Sequence, residues 1–95
     1  MFTGICLIRV SADGGLSLPS GLIETLDQRS LKLELLRHAD GTAIIALPGS
    51  PEDGSPVLDG RLRIPSALLV EAAITDMAEV EGMGAYLIIR RARPL

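Results

Sequence analysis

Two stretches of the chain match each other closely and decide how it is organised. The first stretch reads Asp13-Gly14-Gly15-Leu16-Ser17-Leu18-Pro19-Ser20-Gly21-Leu22. The second stretch reads Asp59-Gly60-Arg61-Leu62-Arg63-Ile64-Pro65-Ser66-Ala67-Leu68. Six of the ten aligned positions are identical, and a seventh pairs Leu18 with Ile64. The sequence therefore predicts an internal duplication.

The segments that follow the two stretches also correspond. Apolar residues recur at helical spacing after each Pro-Ser pair. They are Leu22, Ile23 and Leu26 in the first copy, and Leu68, Leu69, Ala72 and Ala73 in the second. Each copy then has a glycine-containing turn, at Asp40-Gly41 or Gly82–Gly84, followed by an apolar run. The recurrence of three features in the same order argues against chance similarity.

Each copy has a physical interpretation as a small mixed unit. Asp-Gly favours a tight turn between two short strands, because glycine accepts a positive φ. Alternation in Leu62-Arg63-Ile64 places the aliphatic side chains on one face and Arg63 on the other. Pro19 and Pro65 end their strands and suit the start of a helix. The predicted order in each copy is strand, strand, short helix, strand, strand.

The boundaries follow from the same pattern. Repeat one covers residues 1–48, a linker rich in Pro, Gly and Ser covers 49–56, and repeat two covers 57–95. A unit of about 45 residues has too little core to be stable alone. We therefore expect one domain, residues 1–95, in which both repeats share a mainly β, aliphatic core.

Composition excludes several classes of function. The apolar runs are far shorter than the ~20 residues that span a bilayer, so no membrane association is expected. Cys6 is the only cysteine and His38 the only histidine, so neither a disulfide nor a zinc site is predicted. These features favour a cytoplasmic protein without a cofactor. The net charge of −3 means that any anion-binding surface must be local.

The second repeat resembles a known family of DNA-binding domains. The run Asp59–Pro65, followed by an apolar helix and a hairpin, is similar to the swapped-hairpin domain of the AbrB/SpoVT superfamily. Two tandem copies in one chain resemble its MraZ branch in particular. The resemblance implies a pseudo-twofold barrel in which two units interlock their hairpins. It also implies a DNA-binding transcriptional regulator that assembles into oligomers, located in the cytoplasm with the nucleoid.

The chain departs from the family pattern at basic positions. Gly15 stands in repeat one where repeat two has Arg61. Family members often carry a basic pair on the helix after the proline, whereas this chain has Ile23-Glu24 and Leu69-Val70 there. An aliphatic face in that place is expected to be buried, either inside the domain or against another protein.

Duplex DNA requires arginine or lysine side chains that contact phosphates and base edges from one protruding element. Arg61 and Arg63 lie two residues apart on one side of a predicted strand, which directs both towards one groove. The other candidates are Arg9, Arg90, Arg91 and Arg93, which would position the DNA backbone. The alternative for all six is that they are solvated surface arginines paired with nearby acids.

Protein interaction and catalysis are two alternatives to DNA binding. A module that has lost its DNA contacts could act as a protein-interaction or antitoxin-like partner, or as a homo-oligomer. Asp13 and Asp59 occupy equivalent places and could in principle form a catalytic carboxylate pair. The Asp-Gly turn explains both residues without catalysis, so no enzymatic activity is predicted.

Overall fold

The computed structural model describes residues 3–18, 30–38, 41–49, 54–84 and 86–92, and the chain is mainly β. Alternating aliphatic and polar residues form the strands, as expected for sheets with one buried face. The first half contributes β1 (Thr3–Arg9), β2 (Gly15–Ser17), β3 (Ser30–His38) and β4 (Gly41–Gly49). The second half contributes β5 (Ser55–Leu58), β6 (Arg61–Arg63), α1 (Ser66–Glu71), β7 (Met77–Met83) and β8 (Leu87–Arg91).

The second half has the predicted order of two strands, a helix and two strands. The first half has the corresponding four strands, and the helix predicted after Pro19 falls in residues 19–29, outside the described part. The segment predicted as a linker, 49–56, is shorter than expected. Strand β4 extends to Gly49 and β5 already begins at Ser55, because both ends pair with β3.

The Asp-Gly turn of the second half has the predicted geometry. Leu58 and Arg61 face each other across a two-residue loop, in which Asp59 has φ 53° and Gly60 has φ 74°. Positive φ at both loop residues defines the hairpin turn whose twist matches that of the flanking strands. The sequence signal for a hairpin at this point is therefore confirmed.

The eight strands form one sheet in the order β1-β7-β8-β4-β3-β5-β6-β2. In this order each half's first strand pairs with the third strand of the other half: β1 with β7, and β5 with β3. The second strands of the two halves pair with each other, as do the fourth strands. Exchanging the two halves leaves this set of partnerships unchanged.

Two backbone hydrogen bonds between the halves show the same symmetry. The Ile64 amide donates to the Gly14 carbonyl over 3.0 Å, and the equivalent Leu18 amide donates to the Gly60 carbonyl over 2.8 Å. The symmetry is incomplete elsewhere. Strands β5 and β6 form a ladder, whereas β1 and β2 are joined only by an isolated bridge that follows β1, between Val10 and Leu16. The ladder of the sheet is therefore not closed.

The core is aliphatic and draws on both halves. Leu16 on β2 faces Leu62 on β6, and both are fully buried. Ile44 and Ile89 face each other across β4 and β8 in the same way. Among the described residues, no polar or charged residue is buried. Burying a leucine side chain stabilises the fold by roughly 2 kcal/mol, so these contacts tie the halves together.

Helix α1 is short and only partly covered. It begins after Pro65, and its Leu68 and Leu69 side chains pack against the core. The next residue, Val70, is 76% exposed. Leu69 is therefore partly buried inside the domain and Val70 is not, because successive helical residues point about 100° apart. Burial of Val70 against another protein stays a prediction. Ile23, the counterpart of Leu69 in the first half, lies outside the described residues.

No helix in the described ranges is long and apolar enough to span a membrane.

The contact between the halves can be tested with a pair of leucine substitutions. We expect Leu62→Ala to lower the free energy of unfolding by about 2–5 kcal/mol, because it opens a cavity where the halves meet. Leu58→Ala, on the neighbouring strand and 57% exposed, should change it by less than about 0.5 kcal/mol. Urea denaturation followed by far-UV circular dichroism measures both, and equal effects would contradict a core centred on Leu62.

Candidate functional site

The loop between β1 and β2 presents Asp13 to the surface. The Gly14 amide donates to the Ser11 carbonyl over 2.9 Å, and the Ser11 amide donates to the Gly15 carbonyl over 3.0 Å. Gly14 has φ 85°, a conformation that favours glycine. These bonds form a three-residue hairpin loop with a glycine bulge. The first-half loop is thus one residue longer than its counterpart at Asp59-Gly60.

Strand β6 supplies the two arginines predicted to contact DNA. Leu62 points into the core, so Arg61 and Arg63 share the outer face of the strand. Antiparallel pairing sets Arg63 opposite Gly15 and Arg61 opposite Ser17. The arginines of one half are therefore held against the loop and strand of the other half.

Both guanidinium groups contact the loop. Arg61 Nη2 donates to Ser11 Oγ over 2.8 Å and lies 3.5 Å from Asp13 Oδ1. Arg63 Nε donates to the carbonyl oxygen of Asp13 over 3.2 Å, and its Nη2 lies 3.8 Å from Asp13 Oδ2. The carboxylate thus lies between two guanidinium groups. We call Ser11, Asp13, Arg61 and Arg63 the Asp13 cluster.

The cluster keeps Asp13 ionised. The Ser11 hydroxyl donates to Asp13 Oδ1, and this bond is the largest cause that lowers the pKa of Asp13 below its usual value of 3.8. The Gly15 amide, which donates to the same oxygen over 3.1 Å, and the charges of Arg61 and Arg63 lower the pKa further. Each of these contacts favours the charged form of a carboxylate. A pair of catalytic carboxylates that share a proton would need one pKa raised instead.

Gly15 has a steric role that the sequence did not reveal. A Cβ atom at this position would overlap the Arg61 guanidinium and would lie 2.9 Å from Ser11 Oγ. The absence of a side chain therefore leaves space for Arg61 to reach Ser11 and Asp13. At the sequence level Gly15 appeared only as a missing arginine. The signal that could have revealed its role is antiparallel pairing of the two copies, which sets Arg61 opposite Ser17, two residues from Gly15 and within reach of a long side chain.

An open cleft of about 720 Å³ adjoins the cluster. Its lining includes Asp13, Asp59, Arg61, Arg63, Pro65 and Ser66. The two arginines and two aspartates balance in formal charge, so the cleft as a whole is not strongly cationic. Its cationic part is confined to the outer face of β6.

The other predicted arginines are dispersed. Arg90 Nε donates to Glu79 Oε2 over 2.7 Å and its Nη2 donates to Glu81 Oε1 over 2.8 Å, so its charge is matched by two carboxylates. These contacts, chiefly the bond to Glu79, raise the pKa of Arg90. Arg9 and Arg91 are exposed and form no ion pair within the described part of the chain. Arg93 lies outside it.

Exposed apolar side chains form a second surface feature. Ile5 and Leu7, two residues apart on one face of β1, are each 55% exposed. Strand β1 pairs only with β7 within the described ranges, and Ile5 and Leu7 lie opposite Glu81 and Glu79 there. Apolar residues beside charged ones on an outer strand are typical of an interaction surface.

Metal chemistry has no visible basis among the residues that the structure describes. They contain no group of three or more His, Cys, Asp or Glu side chains placed to hold an ion. Cys6 is partly buried against the core, and this burial raises the pKa of its thiol. The side chain of His38 lies outside the description.

No protein-family model matches the chain, and no curated protein is similar to it in sequence.

The lowered pKa of Asp13 gives a prediction about pH and stability. Its ionised form contributes stability above the unfolded-state pKa, and this contribution is lost as the pH falls through the lower folded-state value. We therefore expect Asp13→Asn to reduce the melting temperature at pH 7, and the difference from the unsubstituted protein to shrink as the pH falls below 3.8. Calorimetry from pH 7 to pH 2.5 measures this difference. A constant difference across the range would contradict the assignment.

Proposed function

We propose that this protein is a DNA-binding regulator of the AbrB/SpoVT type and that Arg61 and Arg63 are its central duplex contacts. One observation carries the proposal. The two guanidinium groups project together from the outer face of β6, where the side chains of Arg61 and Arg63 are 47% and 74% exposed. Two adjacent planar donors on one strand suit phosphate oxygens or the acceptor edge of guanine in the major groove.

The strand partnerships support the fold implied by the family resemblance. A swapped-hairpin barrel requires that each repeat lend its third and fourth strands to the sheet of the other repeat. In the pairings of β1 with β7 and of β3 with β5, the third strand of one half pairs with the first strand of the other. The bridge between Val10 and Leu16 lies where such a barrel would close. In this proposal the exchange takes place between the two repeats of one chain.

The remaining arginines take secondary places in the proposal. Arg9, Arg91 and Arg93 would contact the DNA backbone around the central pair. Arg90 is the weakest member, because withdrawing it from Glu79 and Glu81 would leave two partly buried carboxylates without their cation. A ligand on the chromosome implies a cytoplasmic, nucleoid-associated protein.

The acidic net charge sets the expected strength of binding. With a net charge of −3, the long-range field repels DNA and only local contacts attract it. Two to four phosphate contacts per chain give a slope of log affinity against log salt of about −2 to −4. Stable occupancy of an operator then requires several chains on one duplex, which agrees with an oligomeric regulator.

DNA binding can be tested with a charge-matched pair of double variants. We expect the unsubstituted protein to bind mixed-sequence duplex DNA at ~50 mM salt and to lose affinity steeply as salt is raised. Arg61→Ala combined with Arg63→Ala should reduce affinity by at least about tenfold, because both central donors are removed. Fluorescence anisotropy with a labelled duplex measures these effects.

The control combines Lys32→Ala with Arg37→Ala, which removes the same charge from β3. Lys32 and Arg37 are exposed and form only surface ion pairs, with Glu34 and Glu71 respectively. Their loss should change DNA affinity by less than about threefold. Absence of binding by the unsubstituted protein at ~50 mM salt, or equal losses for the two double variants, would refute the proposal.

A second candidate function is protein interaction on the same fold, including an antitoxin-like role. The exposed pair Ile5 and Leu7 on β1 favours it, because a strand with one partner can pair with a strand of another chain. The net charge of −3, which opposes DNA, would not oppose such contacts. This candidate predicts self-association through β1.

Self-association is tested by light scattering after size exclusion across a dilution series. Replacing Ile5 and Leu7 with Thr keeps β propensity but removes exposed apolar area. We therefore expect the oligomer of the variant to be weaker, so that on dilution it dissociates at a higher protein concentration than the oligomer of the parent. Val70→Thr, which removes an exposed methyl from the helix instead, is the control. A protein that is monomeric at all concentrations, or a double variant that associates as the parent does, would count against this candidate.

A further inference from the structure

We propose that Asp13 is a built-in competitor of DNA: its carboxylate occupies the place between Arg61 and Arg63 that a backbone phosphate would take. The inference rests on the proposed function, because it assigns a regulatory residue to the same site. It makes Asp13 a residue that sets how tightly the site binds, through charge rather than through shape.

The geometry of the carboxylate is that of an internal phosphate substitute. Asp13 Oδ1 faces Arg61 Nη2 at 3.5 Å, and Oδ2 faces Arg63 Nη2 at 3.8 Å. A phosphodiester likewise presents two unesterified oxygens that one or two guanidinium groups can engage. One anion therefore satisfies both arginines in the free protein, and DNA must displace it or share the cations with it.

The contacts are long enough to be exchanged. Both ion pairs exceed the distance of about 2.7–2.9 Å found in strong charge-assisted hydrogen bonds. The side chains of Asp13 and Arg61 are each 47% exposed, and that of Arg63 is 74% exposed. Water and salt screen such pairs efficiently. The arginines can thus turn towards an incoming phosphate without breaking a buried interaction.

The loop does not depend on the carboxylate for its shape. Its two closing hydrogen bonds join backbone atoms of Ser11, Gly14 and Gly15, and a third backbone bond ties Gly14 to Ile64. Asparagine offers the same acceptor oxygen to the Ser11 hydroxyl and the Gly15 amide as aspartate does. The negative charge of Asp13 can therefore be removed while the turn is retained.

The duplication provides an internal comparison. Asp59 occupies the equivalent turn in the second half and lines the same cleft. The residues equivalent to Arg61 and Arg63 are Gly15 and Ser17, whose side chains carry no positive charge to form an ion pair with a carboxylate. Asp59 accordingly forms no ion pair within the described residues. Only one of the two equivalent aspartates is placed to compete for the arginines.

The tethered carboxylate of Asp13 determines the kind of anion that the site accepts. A single small anion must compete with a carboxylate that is permanently tethered beside the arginines, and it does so poorly. A duplex offers several phosphates to several arginines at once, so its contacts compensate for displacing Asp13. The cluster therefore favours a polyanion over isolated phosphate.

The experiment compares Asp13→Asn with Asp59→Asn by anisotropy on one labelled duplex at ~50 mM salt. Both variants change net charge equally, so long-range attraction is matched. We expect Asp13→Asn to raise affinity roughly three- to tenfold and to steepen the salt dependence, whereas Asp59→Asn should change affinity by less than about twofold. The gain should vanish when Arg61→Ala and Arg63→Ala are added to Asp13→Asn.

The outcomes separate this inference from the function on which it rests. If the parent binds DNA through Arg61 and Arg63 but the two asparagine variants have equal affinities, Asp13 is not a competitor and the proposed function stands. If the parent does not bind DNA at ~50 mM salt, the proposed function is refuted and this inference is overturned with it. Should Asp13→Asn fail to fold, Asp13→Ser, which also favours turns, takes its place with the same expected gain.

Discussion

The exchange of strand partners between the two halves is the constraint on which the rest of the structure depends. Strand β1 pairs with β7 over seven residues, and β3 reaches across to β5. Neither half can therefore satisfy the hydrogen bonds of its strands with its own strands alone. The buried contact of Leu16 with Leu62 adds an apolar tie at the point where the second strands meet. Separating the halves would expose both the backbone edges and these side chains, so the fold forms from the two together.

The same constraint builds the Asp13 cluster. Ser11 and Asp13 belong to a loop of the first half, whereas Arg61 and Arg63 belong to a strand of the second. They meet because β2 and β6 run antiparallel, which sets Arg63 opposite Gly15 and Arg61 opposite Ser17. Gly15 then leaves the space that the Arg61 guanidinium fills. Divergence between the copies has thus given a symmetric framework one asymmetric, charged site.

Local features were predicted well from the sequence, and their partners were not. The Asp59-Gly60 turn, the alternating strand after it and the helix after Pro65 depend on residues within a few positions of each other. The ion pairs of Arg90 with Glu79 and Glu81 depend on the register of β7 against β8, and that register is not written in any short motif. The exposure of Val70 likewise depends on how α1 lies against the sheet.

The similarity of the two halves, the turns, the alternation of strand faces and the aliphatic character of the core were predictable from the sequence. Each of them depends on residue types and on the conformational preferences of neighbouring residues. Only the folded chain shows which strands of the two halves pair, β1 with β7 and β3 with β5, and that Asp13 lies between Arg61 and Arg63. Those outcomes depend on contacts between residues far apart in the sequence, such as Ser11 with Arg61 and Thr3 with Met83. Local propensity carries no information about such contacts. They are fixed only when both halves bury their apolar faces together and strands of one half pair with strands of the other.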